Sequence, residues 1–457
     1  MTDFGPHLKI DEKGILRIEG VSTVELAEKY GTPLFVLSEN AIRRNYREIH
    51  GAFSKHYPNE VIVCAGMKGN FGLATRKVIV EEGGGGDAFG IGELTVAMMA
   101  GSDPRKIVIN GTNKQPDTLA AAIDTGVLIQ ADCLDELDDI ERIATEMGAT
   151  ARLSLRVRLP LSTLANFIYK DPRYPDGISP TLWESTFKFG MEPEALYRAV
   201  ERALRMKNVS FEGLMYHGGI PRRAGFYREE TAELLDIAHE IKRQFGWEPK
   251  YLNIGGGFVP TRVGADIPPT MDDYAAGISG VITAKCKEHG LRVPILMMEP
   301  GRYCWDSAGL WLTRVGMLKE DTTLAKRKWA YVDGNTNEMG DPFDPRSRVH
   351  HVVLANDAKR RGSQTVDVCG GTCNAADILA KQRELPPMKR GDLLAFLDMG
   401  AYNESFAHQS NAIPRSATVM VSNGRAAVVR RRETVQDVLA RDTIPSWLLR
   451  RHAAQPA

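Results

Sequence analysis

The sequence has little of what marks secreted, membrane-bound or nucleic-acid-binding proteins. Its six cysteines in 457 residues are too few for a disulfide framework, and no two Cys/His pairs have the spacing of a zinc site. No apolar run reaches membrane-spanning length, and the N-terminus has no basic stretch followed by an apolar core. Lysine plus arginine and aspartate plus glutamate number 58 each, so no basic excess favours nucleic acid. We therefore expect a cytoplasmic protein without a bound metal, a nucleic-acid partner or a membrane partner.

Short apolar runs alternate with amphipathic stretches across residues 61–300. Because strand–helix alternation implies parallel strands joined by helical crossovers, the pattern predicts an α/β domain. Eight such units in about 240 residues favour a closed (β/α)8 TIM barrel over the alternative, a doubly wound open sheet. The eight runs lie at residues 61–68, 85–89, 106–110, 127–132, 153–158, 211–217, 250–256 and 294–300.

A second, β-rich domain is predicted after residue 303, where short apolar runs recur with turn signals between them. The first 35 residues also contain strand-like runs such as Leu8-Lys9-Ile10. We assign them to the same C-terminal β-domain because chain termini often lie close together. The predicted boundaries are 36–303 for the barrel, 1–35 plus 304–432 for the β-rich domain, and 433–457 for a polar C-terminal tail.

Chemically useful residues end most of the predicted barrel strands, which is where barrel enzymes carry their active sites. A partly desolvated lysine can lose its proton and attack an aldehyde. A glycine turn leaves backbone N–H groups for a phosphate, and an arginine can bind the same anion. The residues at these strand ends are Lys68, Asp87, Asn110, Arg158, His217, Gly255, Gly256, Gly257 and Glu299, with Arg302 just beyond.

Each of these residues alone has an ordinary structural explanation, and only the combination indicates a cofactor. Glu299 ends an apolar run, so its carboxylate needs a partner, either Arg302 or a protonated ring nitrogen. His217 would lie across the pocket from Lys68, where an imidazole can stack on a planar ring. An aldehyde-binding lysine, a phosphate cradle, an acid for a ring nitrogen and a stacking imidazole together describe a site for pyridoxal 5′-phosphate (PLP).

The sequence resembles the fold-type III PLP enzymes, and among them the diaminopimelate/ornithine decarboxylase family, over about residues 15–425. Many short segments match the family in order and spacing. They are 28–36 (EKYGTPLFV), 67–70 (MKGN), 86–94 (GDAFGIGEL), 188–190 (KFG), 217–219 (HGG), 255–258 (GGGF), 299–302 (EPGR), 370–373 (GGTC) followed by Asp377, and 400–402 (GAY).

The resemblance implies a role for each matched residue. Lys68 would bind the aldehyde of PLP covalently, Glu299 would pair with the pyridinium nitrogen, and His217 would stack on the ring. Asp87 would line the cofactor side. Family members are homodimers with shared active sites, so Cys373 would come from the partner subunit. Cys373 or Lys68 would protonate the substrate carbon after CO2 leaves. The phosphate would be held by Gly256, Gly257, Arg302 and Tyr402.

Four positions depart from the family's pattern. Ile220 stands where a phosphate-contacting serine is usual, and Asn374 where an acid helps to bind the substrate. Asp341 stands where diaminopimelate decarboxylases carry an arginine for the distal carboxylate, and Ile413 replaces another arginine. Because an aspartate would repel that carboxylate, we predict a different amino acid or derivative as substrate, free or carrier-bound, as in siderophore or antibiotic pathways. The predicted substrate-binding residues are Asp333, Asn335, Glu338, Asp341, Asn374 and Asp377.

Three alternatives stay open. An insertion or deletion near residue 341 would let Arg346 or Arg348 supply the missing arginine, and the protein would then be a diaminopimelate decarboxylase of lysine biosynthesis. A racemase on the same fold would carry an arginine at the position of Glu299, so this acid favours decarboxylation. A non-catalytic binding protein would usually have lost Lys68 or Cys373, and both are present.

Overall fold

The structure is a computed structural model that describes residues 4–159, 188–218, 224–258, 260, 269–340 and 350–449. The chain forms a closed barrel of eight parallel strands and a separate domain built from β-sheet, as the sequence predicts. Within the described ranges, no helix combines the length and the apolar character that crossing a membrane would require.

The N-terminal segment forms a small antiparallel sheet beside the β-domain. The side chains of Leu16 and Ile18 pack in one buried cluster with Leu312 and Val419 of the β-domain. The backbone of Leu16 also donates a hydrogen bond of 2.9 Å to Ala355 O. The strands of this sheet are β1 (Leu8–Ile10), β2 (Leu16–Ile18) and β3 (Val21–Ser22), and the helix Thr23–Tyr30 follows them.

The strand β4 (Leu34–Ser38) shows that the predicted domain boundary at residue 36 is wrong. This strand pairs antiparallel with the strand Gly309–Asp321 and parallel with the strand Ala417–Ser422. Residues 36–38 therefore belong to the β-domain, and the barrel begins with the helix Glu39–His56. The side chain of Ser38 joins the two units, since it caps that helix by accepting a hydrogen bond from Ala41 N.

The barrel closes because its last strand pairs with its first, with Leu296 opposite Val61. All eight sequence-predicted strands are present, although several are shorter than the apolar runs that predicted them. They are β5 (Val61–Gly66), β6 (Gly85–Ala88), β7 (Ile107–Ile109), β8 (Leu128–Ala131), β9 (Ala151–Arg156), β10 (Val209–Met215), β11 (Tyr251–Asn253) and β12 (Ile295–Met298).

The barrel strands are buried on both faces, which explains their continuous apolar runs. On β5, Ile62 and Cys64 belong to a small cluster with Met297 and Tyr251, whereas Val61 and Val63 pack in the large cluster that includes the helices. This alternation follows the two-residue period of a strand. The helices around the barrel are Glu39–His56, Leu73–Glu81, Ile91–Met99, Pro116–Thr125, Leu134–Met147, Pro193–Arg205, Ala224–Phe245 and Met271–His289, with the short helix Arg302–Trp305 after β12.

The β-domain is organised around its longest strand, which pairs with three others and bends between them. Its main sheet has the order β17-β16-β14-β13-β4-β19-β20, and β18 pairs with both β13 and β15. The tail beyond it contains the helices Val435–Leu439 and Ser446–Leu449. The strands are β13 (Gly309–Asp321), β14 (Arg327–Val332), β15 (Val352–Leu354), β16 (Gln364–Cys369), β17 (Ile378–Leu385), β18 (Leu393–Leu397), β19 (Ala417–Ser422) and β20 (Arg425–Arg430).

Candidate active site

Polar side chains from neighbouring barrel strands form one hydrogen-bonded group at the carboxyl ends of the strands. The side-chain amide Nδ2 of Asn110, after β7, donates to Asp87 Oδ1 at 2.6 Å and to Glu299 Oε1 at 2.8 Å. Asn253, the last residue of β11, donates a second amide hydrogen bond of 2.6 Å to Glu299 Oε1. All four residues are at least 95 % buried. The barrel therefore brings together two carboxylates that lie 212 positions apart in the sequence (87 and 299).

Lys68 lies beside this group, in the turn Met67–Gly69 that follows β5. Its Nζ is 3.6 Å from Asp87 Oδ2 and 4.8 Å from the centre of the Phe89 ring. Burial lowers the pKa of Lys68, but the electrostatic interactions with Asp87, Tyr402 and Glu299 outweigh it, so the pKa rises above its usual value. From the sequence alone, desolvation is expected to release the amine's proton. The structure instead holds the free amine as an ammonium against carboxylates.

Glu299 is a buried carboxylate with one oxygen left for a ligand. Burial raises its pKa to about 7, the charge of Asp87 adds to the rise, and the hydrogen bonds from Asn110 and Asn253 oppose it. Both hydrogen bonds go to Oε1, and Oε2 accepts none from the described residues. A buried carboxylate of this kind gains most from a cationic N–H partner at its second oxygen.

The glycine turn after β11 packs against His217 and Glu299. The backbone N–H of Gly256 donates to His217 Nδ1 at 3.1 Å, which places the proton of a neutral imidazole on Nε2. A Cβ at Gly255 would lie 2.6 Å from His217 Nδ1, and one at Gly256 would lie 2.1 Å from Glu299 O. Glycine is therefore required at both positions. The hydrogen bond to His217 also differs from the expected phosphate contact of the Gly256 N–H.

Arg302 and Tyr402 meet beside the Lys68 turn. The guanidinium carbon of Arg302 lies 4.8 Å from the centre of the Tyr402 ring, and its Nη1 lies 3.7 Å from Asp306 Oδ1. The backbone N–H of Tyr402 donates to Gly69 O at 2.8 Å. Tyr402 belongs to the segment after β18, so the β-domain of the same chain supplies part of the barrel mouth.

Cys373 lies on an exposed loop of the β-domain, between β16 and β17. Asn411 Nδ2 donates a hydrogen bond to its sulfur at 3.2 Å, and the Cys373 thiol donates to Asn411 Oδ1 at 3.6 Å. The neighbouring Asn374 is also exposed and accepts a hydrogen bond from Ala376 N. Within the described part of one chain, no hydrogen bond or ion pair joins Cys373 to Lys68 or Glu299.

The predicted substrate-binding acids are engaged inside the β-domain. Asp377 accepts hydrogen bonds from the backbone of Thr336 and from both the backbone and the hydroxyl of Thr372. Asp333 accepts them from Thr32 Oγ1 and from a backbone N–H of β13. A third acid, Glu338, accepts from Ser416. Within the described residues, these carboxylates therefore hold loops of the β-domain together.

The remaining predicted residues are either buried in the β-domain or lie outside the described residues. Asn335 is buried and accepts a hydrogen bond from Asn337 N. Asp341, and with it Arg346 and Arg348, lies outside the described residues, as does Ile220. Among the residues that are described, no three or more His, Cys, Asp or Glu side chains are grouped as metal ligands would be.

Three polar residues near the predicted site are not predicted from the sequence. β9 ends at Arg156, two residues before the predicted Arg158, which pairs instead with Glu192. Arg156 is 96 % buried, stacks 4.4 Å from the Phe189 ring, and donates to His217 O at 3.4 Å. A signal for Arg156 exists, because residues two apart on a strand share a face. No comparable signal exists for the side-chain contacts of Asn253 or Asn411.

The sequence and the fold match known proteins over almost the whole chain. Residues 40–306 match the family described as "Pyridoxal-dependent decarboxylase, pyridoxal binding domain". The chain belongs to this family. The diaminopimelate decarboxylase of Methanothermobacter thermautotrophicus is 35 % identical over 98 % of this chain and 100 % of its own length. That of Methanocaldococcus jannaschii is 32 % identical, covering 94 % of this chain and 96 % of its own.

A solved structure supports the same relationship. The crystal structure of the M. jannaschii diaminopimelate decarboxylase in complex with L-lysine superposes with a TM-score of 0.87 at 30 % identity. The match covers 97 % of this chain and 99 % of that one. The protein is therefore a PLP-dependent amino-acid decarboxylase with the barrel and β-domain of its family.

The residues at the barrel mouth fit the cofactor. Asn110 Oδ1 is buried and makes no hydrogen bond within the described part of the chain, so it can receive a polar group of a ligand. Asp87 Oδ2 also makes no hydrogen bond there, and its charge partner is the Lys68 amine at 3.6 Å. Glu299 Oε2 is available for a ring nitrogen, and Lys68 supplies the amine. The geometry thus leaves unsatisfied groups where an aldehyde-bearing pyridine needs them.

Proposed function

We propose that this protein decarboxylates meso-diaminopimelate at the barrel mouth. What supports the substrate is similarity along the whole chain, since the two relatives described above carry that printed function and match over 94–98 % of this chain. This proposal revises the expectation of a different substrate, because the relatives favour the alternative of an authentic diaminopimelate decarboxylase.

The chain's own residues would prepare the site in four ways. Lys68 binds the cofactor's aldehyde, and Glu299 keeps a proton on the ring nitrogen. His217, fixed by Gly256 N, stacks on the ring. PLP, once bound, accepts the electron pair that remains when CO2 leaves the α-carbon. Arg302, together with Gly257 and Tyr402, provides the cationic and hydrogen-bonding contacts for the phosphate.

The protein would act as a homodimer with shared sites. Cys373 is exposed on the β-domain, and no described contact joins it to the Lys68 group of its own chain. A proton donor must lie within hydrogen-bonding reach of the carbon that it serves. A second copy that inserts its Cys373 loop over the barrel mouth would satisfy this requirement.

A substrate panel tests the proposed reaction directly. Holoenzyme is supplied with meso-diaminopimelate, L-lysine, L-ornithine and L-arginine in turn, and released CO2 is measured beside the same protein with Lys68→Ala. We expect CO2 from diaminopimelate at a much higher rate than from the others, and none above background from the variant. Equal or faster release from another amino acid would refute diaminopimelate as the substrate.

A second candidate is the decarboxylation of a different amino acid, and the loop around Cys373 favours it. Asn374 replaces the family's acid there, and the described acids nearby accept hydrogen bonds from Thr336, Thr372 and Ser416. Replacing Asn374 with Glu separates the two candidates. If diaminopimelate is the native substrate, the variant gains kcat/KM toward it or keeps it. A large loss would favour the second candidate.

A further inference from the structure

The contact between Asn411 and Cys373 joins two loops that are 38 residues apart in the sequence. Asn411 Nδ2 donates a hydrogen bond to Cys373 Sγ at 3.2 Å, and the thiol in turn donates to Asn411 Oδ1 over a longer distance of 3.6 Å. A donor aimed at sulfur stabilises the thiolate over the thiol, because hydrogen bonds to the charged form favour that form. The contact can therefore influence how readily this sulfur releases a proton.

The backbone at Asn411 is held in an unfavourable conformation to make this contact. Asn411 has φ 61° and ψ 20°, and Ala412, the next residue, has φ 54°. Asparagine tolerates the left-handed region, but alanine there costs on the order of 1–2 kcal/mol. Such strain persists only where the surroundings fix the chain, and it is concentrated at functional sites.

Those surroundings fix the loop from two sides. Asn337 Nδ2 donates to Ser410 O at 2.9 Å, and His408 N donates to Asn337 O at 3.0 Å. On the other side, Glu433 accepts hydrogen bonds from the side chains of Arg415 and Gln409. The loop that carries Asn411 is thus anchored both to the segment after β14 and to the start of the C-terminal tail.

We propose that Asn411 is a positioning residue for Cys373, and that it stabilises the thiolate that Cys373 becomes when it protonates the substrate carbon. In that step the S–H bond breaks and a C–H bond forms at the α-carbon. The electron pair of the S–H bond stays on sulfur, and solvent later returns the proton. The destination of the proton rests on the proposed decarboxylation, whereas the contact itself does not.

The pH dependence of thiol alkylation tests the contact in the full-length holoenzyme. Iodoacetamide is added at a series of pH values, and labelling of Cys373 is quantified by peptide mass spectrometry. Asn411→Asp removes the donor and adds a negative charge while tolerating the left-handed backbone. We expect it to move the midpoint of Cys373 labelling upward by about one pH unit, which slows labelling at neutral pH about tenfold.

Two variants and an internal reference make the result specific. Asn411→Gly keeps the left-handed backbone without the amide, and it should move the midpoint in the same direction by a smaller amount. Ser410→Asp places a charge on the adjacent exposed residue, and it should move the midpoint by less than half as much as Asn411→Asp. Cys133 is exposed on the barrel in the same protein, and its midpoint should stay constant.

Apart from the introduced aspartates, the titratable groups near the contact are the same in all these variants. They are Asp377 on the Cys373 loop, His408 and Arg415 on the Asn411 loop, and Glu433 on the tail. An unchanged Cys373 midpoint in Asn411→Asp would overturn the proposal. So would a Ser410→Asp shift as large as that of Asn411→Asp, because the effect would then come from charge alone.

Turnover measurements test the catalytic part separately. With the substrate found in the panel, Asn411→Gly should lower kcat about tenfold with KM nearly unchanged. A shifted labelling midpoint with unchanged kcat would show that the contact exists but does not serve proton transfer, and would overturn the catalytic part. If wild-type protein released CO2 from no amino acid, the proposed function would fail, while the labelling result would still decide the contact.

Discussion

The barrel mouth and the Cys373 loop are built in opposite ways. At the barrel mouth, Asp87, Asn110 and Glu299 are buried, and side chains hydrogen-bond to side chains across three strands. On the loop, Cys373 and Asn411 are exposed, and the chain is held mainly by hydrogen bonds to its backbone from residues such as Asn337. The first region is buried and held by hydrogen bonds between side chains, whereas the second is held through its backbone and is exposed to solvent.

The two regions would contribute to one reaction in different ways. Burying a carboxylate costs free energy unless a cation pairs with it. The barrel mouth would therefore be stabilised by a positively charged group of a ligand. The exposed loop has no buried charge that needs a partner, and it can reach the barrel mouth of another subunit. The contrast predicts that changes at the barrel mouth act within one chain, whereas changes at Cys373 act across two.

The largest effect is expected at Lys68. Lys68→Ala removes the amine that lies 3.6 Å from Asp87, so the cofactor can bind only by non-covalent contacts, and turnover should fall by more than about a thousandfold. The absorbance of the bound cofactor should also lose the band of a covalently attached aldehyde. Lys55→Ala, which removes a surface ion pair with Asp272, is the control and should leave both measurements unchanged.

Mixing two inactive variants tests whether the regions belong to different chains. Lys68→Ala and Cys373→Ala protein are combined under conditions that allow subunits to exchange. A homodimer with shared sites would form one intact site in each mixed dimer, so activity should recover to about a quarter of the wild-type value at random pairing. No recovery after verified exchange would show that Cys373 serves the barrel of its own chain, or neither.

The strands that form the barrel mouth are predictable from the sequence because their signals are local. Each strand that places Lys68, Asp87, Asn110 or Glu299 is a short apolar run, and the barrel geometry then brings the run ends together. Errors arose where a run continues past the true end of its strand. The run of residues 153–158 predicts Arg158 at the strand end, whereas β9 ends at the buried Arg156 and Arg158 pairs with Glu192.

The contacts of the loop region are not predictable in the same way, because they are not local. Asp333 and Asp377 are predicted to bind substrate, and each accepts a hydrogen bond from a backbone N–H of a distant segment. Nothing in the sequence near Cys373 points to Asn411, since the two loops meet only after β16 and β19 take their places. The boundary at residue 36 failed for the same reason, because β4 joins a sheet whose other strands lie far along the chain.

An intermediate effect is expected at Glu299, and its pH dependence is informative. In the cofactor-free protein the pKa of Glu299 is raised from 4.5 to about 7. The folded state therefore keeps this proton at pH values where the unfolded chain has lost it, and wild-type stability falls as pH rises through that window. Glu299→Gln does not titrate, so the variant should gain about 3 kcal/mol relative to wild type between pH 4.5 and pH 7.

Denaturant unfolding of the cofactor-free proteins at pH 5 and pH 8 measures this difference. The same variant should weaken catalysis in the loaded enzyme about a hundredfold, because an amide cannot hold a proton on the ring nitrogen. Asn110→Asp puts a third carboxylate into the group. The unfolding free energy of this variant should depend more steeply on pH than that of the wild type. Parallel stability profiles for wild type and Glu299→Gln would contradict the buried-carboxylate account of the barrel mouth.

The smallest effect is expected at Glu433, which anchors the Asn411 loop to the C-terminal tail. Its hydrogen bonds from Arg415 lower the pKa of Glu433 to about 2, so the stability that they contribute is present above about pH 4.5 and is lost as pH falls toward 2. Because Arg415 is 45 % exposed, screening limits this contribution to less than about 1 kcal/mol. Glu433→Gln should therefore leave global unfolding almost unchanged.

Local opening is the sensitive measure of this clamp. Backbone amides of residues 410–412 should exchange with solvent about two- to fivefold faster in Glu433→Gln at neutral pH, which corresponds to a loss of about 0.5–1 kcal/mol. Asp437→Asn breaks a similar ion pair with Arg431 on the same tail, but that pair does not touch the loop. If both variants increase amide exchange at residues 410–412 equally, the loop depends on the tail as a whole and not on Glu433 in particular. If only Glu433→Gln does, Glu433 anchors the Asn411 loop from the tail side, in addition to the anchor that Asn337 provides.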